Sequence, residues 1–453
     1  MIKRTLKEIE KMIPGSNYIS KDNENVFITG VSIDSRTIRE GNLFIPVSGT
    51  RDGHEFVRDA IANGAGAVLW NKKQPNPPGN IPLVLVDDML LALQDLAASY
   101  RKQLSAKVIG ITGSNGKTTT KDMIASILEL SFKVHKTKGN YNSQLGLPLT
   151  ILEAPDDAEI LILELGMSEK GQIKKLSEIA QPDIAAITMI GTSHLLNLGS
   201  REEIAKAKME ILEGLTSNGL FIYQEDDPLL NNDMNHRSVT FGETNNNDYY
   251  PRFVDSNFEG NSFYINNQKD TDYTIPMLGK HNVQNALIAI AIADELKVPK
   301  DIIVKGLANI SVTGMRMQSI FSENGFTVID DCYNASPDSV KGAIDTLHEI
   351  KGYKKKFLIL ADMLELGEED EKYHKEIGNL INEKKIDYVF TYGRLANFIS
   401  LEAAQKLGFD HSKNFSDKPE MIKVITELIG PNDIVLVKGS RGMNMEDVVN
   451  GLL

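Results

Sequence analysis

The sequence has one cysteine, no long apolar run and no excess of positive charge. Cys332 is the only cysteine, which excludes an intrachain disulfide and fits a reducing compartment. The most apolar helical stretch, residues 286–293, is too short to span a bilayer, and the charged N-terminal residues contain no apolar signal-peptide core. The net charge of −13 argues against a nucleic-acid-binding surface. We therefore expect a cytoplasmic protein with no membrane insertion and no nucleic-acid partner.

Predicted strands and helices alternate along most of the chain, which indicates an α/β fold. The 453 residues, of which 41% are hydrophobic and 25% charged, suffice for about three domains. Alternating elements predict parallel sheets with right-handed crossovers. We predict a small α/β domain over residues 1–103, a central parallel-sheet domain over 104–312 and a C-terminal Rossmann-like α/β domain over 313–453.

Residues 107–130 contain the clearest motif, in which a β-branched strand, a glycine-rich loop and a helix follow one another. Glycines let backbone N–H groups approach phosphate oxygens, and the helix N-terminus adds unsatisfied donors. Lys117 is expected to reach the β- and γ-phosphates of a nucleotide and Thr118 to hold Mg²⁺. The strict G-x-x-x-x-G-K-[ST] pattern requires glycine where this chain has Ile111, so a plain strand–helix turn with a solvated lysine is the alternative. The candidate nucleotide-binding residues of this loop are Gly113, Ser114, Asn115, Gly116, Lys117, Thr118 and Thr119.

Two further candidates follow neighbouring strands. Glu164 lies at the end of the predicted strand 159–165, and His194 lies just beyond the predicted strand 184–190. Because ligands bind at the carboxyl ends of parallel strands, both are expected on one rim with the phosphate loop. A carboxylate beside phosphates suits Mg²⁺, for which imidazole is an unusual ligand. Alternatively, Glu164 caps a helix and His194 is an ordinary loop histidine.

The predicted helix 201–215 places one of its lysines on the apolar face. Lys206 has glutamates at helical neighbour positions and belongs to the solvent face, whereas Lys208 has apolar residues at i−4, i+3 and i+4. Such a lysine either snorkels or is functional. Burial disfavours the ammonium form, and a neutral amine can take up carbon dioxide to become an anionic carbamate. Composition alone favours snorkelling.

Several other polar residues admit two interpretations. The loops 32–37 and 48–54 either bind a phosphorylated ligand or simply form turns. Asn282 either caps the apolar helix that follows it or contacts a ligand, and Asn285, a poor helix former inside the first turns, favours a side-chain contact. Arg316, at the junction of the central and C-terminal domains, is placed to face a nucleotide.

Taken together, these motifs resemble the Mur ligases of peptidoglycan synthesis across essentially the whole chain. The segment ITGSNGKTTT is similar to the ATP loop of that family, which likewise has no glycine at the position of Ile111. DSRTIREGNLFIPVSGTRDGHEF resembles the family's uridine-nucleotide domain. KGNYNSQLGLPLT, AKAKMEI, DDCYNASPDS and LADMLELGEE are similar to the branch that adds D-alanyl-D-alanine.

The resemblance implies ATP and two Mg²⁺ ions as cofactors. It makes Lys117, Glu164, His194 and Lys208 catalytic, and Thr118, Glu164, His194 and Lys208 (as a carbamate) the metal ligands. It implies contacts of Asn282 and Asn285 to adenine, of Arg316 to phosphate and of Asp331 to ribose. The residues that it assigns to the UDP-substrate are Ser35, Arg36, Gly49, Thr50, Asp52, Gly53, His54, Asn140 and Asn142.

The implied activity is an ATP-dependent ligation of D-alanyl-D-alanine to UDP-N-acetylmuramoyl-tripeptide through an acyl phosphate, by a monomer. The three domains would bind the UDP-muramoyl peptide, ATP and the dipeptide in chain order. The competing hypotheses are another Mur-type ligase, a folylpolyglutamate-type ligase, which lacks the uridine-nucleotide domain, and an ATP-binding regulatory switch. A switch predicts slow turnover that muramoyl peptides do not affect.

Overall fold

The computed structural model describes residues 1–18, 23–230, 236–257, 259–266, 268–311 and 313–453. Each of the three predicted domains, called here the first, central and last parts, contains one large β-sheet. The first part has a five-stranded sheet in the order β2-β7-β6-β5-β4, parallel except at β2, and a separate β1–β3 pair. Its elements are β1 (Arg4–Thr5), α1 (Leu6–Met12), β2 (Asn17–Tyr18), β3 (Phe27–Ile28), β4 (Val31–Ser32), β5 (Leu43–Phe44), α2 (Val57–Ala62), β6 (Ala67–Asn71), β7 (Leu83–Val86) and α3 (Met89–Gln103). Short 3₁₀ helices occupy Ser35–Thr37 and Gly53–Phe56.

The central part has a six-stranded parallel sheet in the order β13-β12-β11-β8-β10-β9. Its elements are β8 (Lys107–Thr112), α4 (Lys117–Leu128), β9 (Val134–Lys136), α5 (Gly146–Glu153), β10 (Ile160–Glu164), α6 (Gln172–Ala180), β11 (Ile184–Ile187), α7 (Leu195–Leu198), α8 (Arg201–Met209), β12 (Leu220–Gln224) and β13 (Arg237–Phe241). An antiparallel sheet and two helices follow, namely β14 (Pro251–Asn257), β15 (Gly260–Ile265), β16 (Gln268–Ile275), α9 (Lys280–Glu295) and α10 (Lys300–Ala308).

The last part has a six-stranded sheet in the order β17-β18-β22-β19-β20-β21, in which only the edge strand β17 is antiparallel. Its elements are β17 (Gln318–Phe321), β18 (Thr327–Asp331), α11 (Pro337–Glu349), β19 (Lys356–Ala361), α12 (Asp370–Asn379), β20 (Tyr388–Tyr392), α13 (Ala396–Leu407), β21 (Ser412–Phe415), α14 (Lys418–Leu428), β22 (Ile434–Lys438) and α15 (Glu446–Leu452).

The predicted α/β class with parallel sheets is confirmed. The predicted domain boundaries stay predictions, and residue 312, at one of them, lies outside the described residues. The predicted helix 201–215 is α-helical only over Arg201–Met209 and continues as a 3₁₀ turn, Glu210–Gly214. No helix of the described residues is long and apolar enough to cross a membrane.

Strand β8 lies at the centre of the central sheet because it is apolar on both faces. Val108, Ile109 and Ile111 are fully buried, as expected for a strand covered by helices on both sides. Its neighbours are β10 and β11, with Glu164 paired to Ile111 and Ile187 paired to Thr112. The carboxyl ends of the three strands therefore lie side by side, and the segments that follow them share one rim.

Candidate active site

The loop after β8 requires glycine at two positions. Gly113 has φ 149° and a Cβ there would stand 1.8 Å from Thr188 Oγ1, while Gly116 has φ 85° and a Cβ there would stand 2.6 Å from Asn285 Oδ1. The left-handed Gly116 precedes α4, so the helix begins at Lys117, whereas the sequence pattern predicts a helix over residues 119–130. The loop is thus pressed between the end of β11 and helix α9, and its N–H groups open onto a helix N-terminus, where anions bind.

Lys117 is folded back onto this loop. Its Nζ donates to the carbonyl oxygens of Gly113 at 2.6 Å and Ser114 at 3.4 Å. Burial lowers the pKa of Lys117 to about 8, and the charge of Glu164 opposes this shift only in part. An ammonium desolvated in this way gains more from a phosphate than an exposed one does.

Glu164 is buried beside the first turn of α4. Its Oε2 accepts hydrogen bonds from Thr118 Oγ1 at 3.2 Å and from Asn142 Nδ2 at 3.4 Å. Its Oε1 is buried without a hydrogen bond and lies 3.6 Å from the Nζ of Lys121. Arg316, from beyond the central part, donates from Nη2 to Thr118 Oγ1 at 3.1 Å. One rim therefore holds a hydroxyl and a carboxylate oxygen still able to accept a bond.

This pair fits Mg²⁺, which prefers oxygen ligands and commonly takes one or two carboxylates together with substrate phosphates and water. Among the described residues, no three His, Cys, Asp or Glu side chains are close enough to hold an ion by themselves. Glu164 and Thr118 would therefore share an ion with nucleotide phosphates. In the described part of the chain neither a hydrogen bond nor a salt bridge joins His194 to Glu164, so the role of His194 as a metal ligand stays a prediction.

Lys208 is buried on α8, with 2% of its surface exposed. Burial, and next the charge of Lys117, place the pKa of its amine well below the ordinary value. No hydrogen bond or salt bridge to its Nζ occurs within the described ranges. Lys206, two residues earlier, is exposed and bonds to Glu203 at 2.7 Å. The buried position of Lys208 excludes snorkelling and leaves an amine that is readily deprotonated.

His194 immediately precedes α7 and has a left-handed backbone conformation, with φ 65°. Its Nδ1 lies 3.0 Å from Oε2 of Glu365, a residue of the C-terminal sheet's rim. Burial first, and then the charge of Lys117, lower the pKa of the imidazole. The surroundings of the ring therefore favour the neutral imidazole.

A cavity of about 790 Å³ lies between the central and C-terminal parts. The predicted ATP-site residues that line it are Asn115, Gly116, Thr119, Asn282, Asn285, Arg316 and Asp331. Asn285 donates to Asn282 Oδ1 at 3.1 Å, and Arg316 lies over the Tyr333 ring, 3.9 Å from its centroid. Asp331 accepts from Lys438 Nζ at 2.6 Å. The cavity thus reaches from the phosphate loop to residues of the C-terminal sheet's rim, and its volume is in the range of small-molecule and cofactor sites.

The predicted UDP-substrate residues lie elsewhere. Asp52 caps a 3₁₀ helix through the N–H of His54, and its Oδ1 lies 2.8 Å from His54 Nδ1, so turn formation accounts for both. Arg36 is exposed and paired with Asp34 at 2.7 Å. Gly49, Thr50 and Asn140 are exposed, and Ser35 and Gly53 are buried. Of this set only Asn142 is bonded to the rim, and no described hydrogen bond connects the loops 32–37 and 48–54 with the phosphate loop.

Sequence reasoning missed three residues that shape the site. Lys121 is buried between Glu164 and Asp122, Thr188 supports the loop, and Asp338 accepts hydrogen bonds from the backbone N–H and the hydroxyl of Thr192, both at 2.8 Å. Helical spacing after Lys117 could have indicated Lys121. The other two contacts join residues more than 70 positions apart, which no local pattern reveals.

Comparisons with known proteins agree with this geometry. Three family models match in chain order: "Mur ligase family, catalytic domain" at residues 27–101, "Mur ligase middle domain" at 111–293 and "Mur ligase, glutamate ligase domain" at 315–441. The chain is 46% identical to the UDP-N-acetylmuramoyl-tripeptide–D-alanyl-D-alanine ligase of Bacillus subtilis, covering 100% of this chain and 99% of that one.

Solved structures show the same architecture. A MurF crystal structure from Acinetobacter baumannii superposes with a TM-score of 0.90 at 31% identity over 100% of this chain and 99% of that one. The MurF ligase of Thermotoga maritima, solved in complex with ADP, has a TM-score of 0.83 at 29% identity, with coverages of 93% and 96%. Full-length similarity, the order of the three matched domains and the rim built around the phosphate loop together show that the chain belongs to the Mur ligase family.

Proposed function

We propose that this protein joins D-alanyl-D-alanine to UDP-N-acetylmuramoyl-tripeptide and converts ATP to ADP and phosphate. The single observation behind the chemistry is that Lys117 and Glu164 lie on one rim beside the phosphate loop. Glu164 Oε2 is 3.2 Å from Thr118 Oγ1. The identity of the substrates follows from the full-length relatives that are named for them. The chain binds ATP, in keeping with its family and with the ADP complex of a relative.

The reaction proceeds in two steps. The terminal carboxylate of the tripeptide attacks the γ-phosphorus of ATP, an acyl phosphate forms and ADP leaves. The amine of D-alanyl-D-alanine then attacks the acyl carbon, loses a proton and expels phosphate. No side chain of the protein forms a covalent bond in either step, so catalysis depends on positioning and on charge neutralisation.

Lys117 opposes the main barrier, which is the repulsion between a carboxylate and a triphosphate. Its ammonium leaves the carbonyls of the loop for the phosphate oxygens, with the backbone N–H groups of the loop as further donors. Arg316, 3.1 Å from Thr118, adds a second cation at the same place. Thr118, Glu164 and His194 would hold the Mg²⁺ that neutralises further phosphate charge when bound.

Lys208 supplies the remaining charge in our proposal. Its deprotonated nitrogen forms a bond to the carbon of CO₂ and releases a proton. The neutral lysine side chain thereby becomes an anionic carbamate. The resulting carbamate would be a further metal ligand and a counter-charge to Lys117, whose field already acts on it. The low pKa that burial imposes favours the neutral amine that this step requires.

The three parts of the chain would divide the substrates. We assign the UDP-muramoyl peptide to residues 1–103 with Asn140 and Asn142, ATP to residues 104–312 with Asp331 and Arg316, and the dipeptide to residues 313–453. We further propose that the protein acts as a monomer in the cytoplasm, where ATP is available. Sedimentation velocity should give one species near the mass of 50.1 kDa, and a dimer would contradict this part of the proposal.

The substrate specificity is tested by measuring ADP and phosphate release with each substrate omitted in turn. Release should require Mg-ATP, the UDP-tripeptide and D-alanyl-D-alanine together. D-Alanine alone and L-alanyl-L-alanine are the matched controls for the dipeptide, and both should be inactive. Equal release with D-alanine would refute the assignment to the dipeptide-adding branch, and release that ignores the muramoyl peptide would favour a regulatory ATPase.

A further inference from the structure

The segment after β11, residues 188–194, is held from both sides of the nucleotide cavity. On the central side, the backbone N–H of Gly191 donates to Ser114 Oγ at 2.9 Å. On the C-terminal side, Asp338 accepts from the N–H and the hydroxyl of Thr192, both at 2.8 Å. The position of His194, two residues further on, thus depends on a domain to which it does not belong.

Glu365 makes the second contact from the C-terminal side. Its carbonyl oxygen accepts from Leu196 N–H at 3.1 Å, and its carboxylate Oε2 lies 3.0 Å from His194 Nδ1. Both residues of this pair adopt left-handed backbone conformations, with φ 64° at Glu365 and 65° at His194. Strained conformations of this kind persist where surrounding contacts determine them and are concentrated at functional sites.

The chemistry of the pair is directional. A carboxylate only accepts hydrogen bonds, so at Nδ1 it selects the imidazole tautomer whose proton is on Nδ1. The lone pair is then on Nε2. The charges of Lys117 and Lys208 both lower the pKa of this ring, so it lies within electrostatic reach of the two lysines. A carboxylate that orients a metal-binding histidine in this way is a common arrangement in metalloenzymes.

We propose that Glu365 is a positioning residue, by which the C-terminal domain sets the tautomer and orientation of His194 when it docks on the central domain. This inference rests on the proposed function, in which His194 is a ligand of Mg²⁺. Docking of the dipeptide-binding domain would thereby complete the metal site in the ATP-binding domain. The side chain of Glu365 is 62% exposed, so its pair with His194 adds little to stability and its loss should leave the fold intact.

The test compares Glu365→Gln with Glu368→Gln in the full-length protein. Glu368 is an exposed acid of the same segment for which no salt bridge is found among the described residues, so the control removes the same charge at nearly the same place. The first readout needs no metal: ¹⁵N shifts of the imidazole rings in histidine-labelled protein, with the His194 signals identified from their loss in His194→Ala. The second is Mn²⁺ binding by electron paramagnetic resonance in the presence of ADP.

In the wild type and in Glu368→Gln, His194 should be an Nδ1–H tautomer. In Glu365→Gln the two ring shifts should converge as tautomers mix, Mn²⁺ affinity should fall about 10-fold and the KM for Mg²⁺ should rise more than kcat falls. If the ¹⁵N shifts of His194 were the same in Glu365→Gln as in the wild type, the inference would be overturned. Mn²⁺ binding that is unchanged in Glu365→Gln but weakened in His194→Ala would overturn it as well, while leaving the proposed function intact. Unchanged binding in His194→Ala would refute the metal role itself.

Discussion

Replacing Lys121 by methionine should destabilise the protein severely. Lys121 is 2% exposed as a side chain, and its Nζ lies 3.1 Å from Asp122 Oδ1, 3.6 Å from Glu164 Oε1 and 3.1 Å from the carbonyl oxygen of Thr137. Methionine has nearly the same shape and leaves no large cavity. The substitution therefore isolates the electrostatic consequence, which is two buried carboxylates that lose the cation within 4 Å of them.

The magnitude follows from these distances. Each carboxylate attracts the ammonium by about 5 kcal/mol at an effective dielectric constant of 20. Removing the cation also removes its own desolvation penalty, so the net loss is about 3–5 kcal/mol, as for other broken buried ion pairs. A loss of this size should lower the melting temperature of the transition that contains α4 by roughly 6–20 °C.

Urea and calorimetric unfolding of Lys121→Met measure this loss. Lys206→Met is the matched control, because Lys206 makes an exposed salt bridge to Glu203 and should change stability by less than about 0.5 kcal/mol. Adding Asp122→Asn to Lys121→Met should restore part of the stability, since one of the two orphaned charges is removed. A Lys121→Met protein within 1 kcal/mol of the wild type (a threshold of about one ordinary hydrogen bond) would refute the electrostatic argument.

Three other predictions concern the site. Lys208→Ala should lower kcat by about 10²–10³ and regain activity with a short-chain carboxylic acid, because a small anion can replace the carbamate; wild-type activity would dismiss the carbamate. Gly116→Ala should weaken ADP binding at least about 10-fold in calorimetry, because its Cβ would stand 2.6 Å from Asn285 Oδ1, whereas Gly171→Ala, with the similar φ of 81° and nothing within 4 Å, should bind ADP normally. Binding of ADP at pH 8 should take up about half a proton, because phosphate favours the charged form of Lys117, whose pKa is about 8 in the free protein. ADP titrations in two buffers at pH 7 and pH 8 should therefore differ in proton uptake, and Lys117→Met should abolish the difference. The same pKa affects stability: the buried ammonium of Lys117 lowers the stability of the folded protein fully below pH 8, and this loss is relieved as the pH rises toward 10.5, the pKa of the unfolded state.

The phosphate loop and the rim were within reach of sequence reasoning for physical reasons. A strand, a loop and a helix that are contiguous in sequence are also contiguous in space, so residues 107–130 contain most of their own structure. Glu164 follows a strand that pairs directly with β8, and parallel pairing brings strand ends together whatever the loops between them do. Helical spacing placed Lys208 on the apolar face of its helix, as the structure has it, but composition alone favoured snorkelling over the burial that is found. The family prediction is confirmed by the comparisons.

The contacts between domains were out of reach. Asn115 bonds to Ser336, 221 residues away, and His194 of the central part pairs with Glu365 of the C-terminal part. Each of these residues is an ordinary polar side chain in its own segment, and a one-dimensional pattern contains nothing about which distant segment will face it. The roles predicted for the loops 32–37 and 48–54 stay predictions, because their described contacts are turn-forming hydrogen bonds within the loops themselves.

The sequence by itself determined the α/β class, the phosphate loop and the apolar setting of Lys208, because each depends on neighbours within one or two elements. Only the tertiary structure decided that Lys121 lies between two carboxylates, that Glu164 keeps one unbonded oxygen and that His194 lies 3.0 Å from Glu365. Those arrangements depend on how sheets and domains dock, and docking is set by the summed packing of many residues that are distant in sequence.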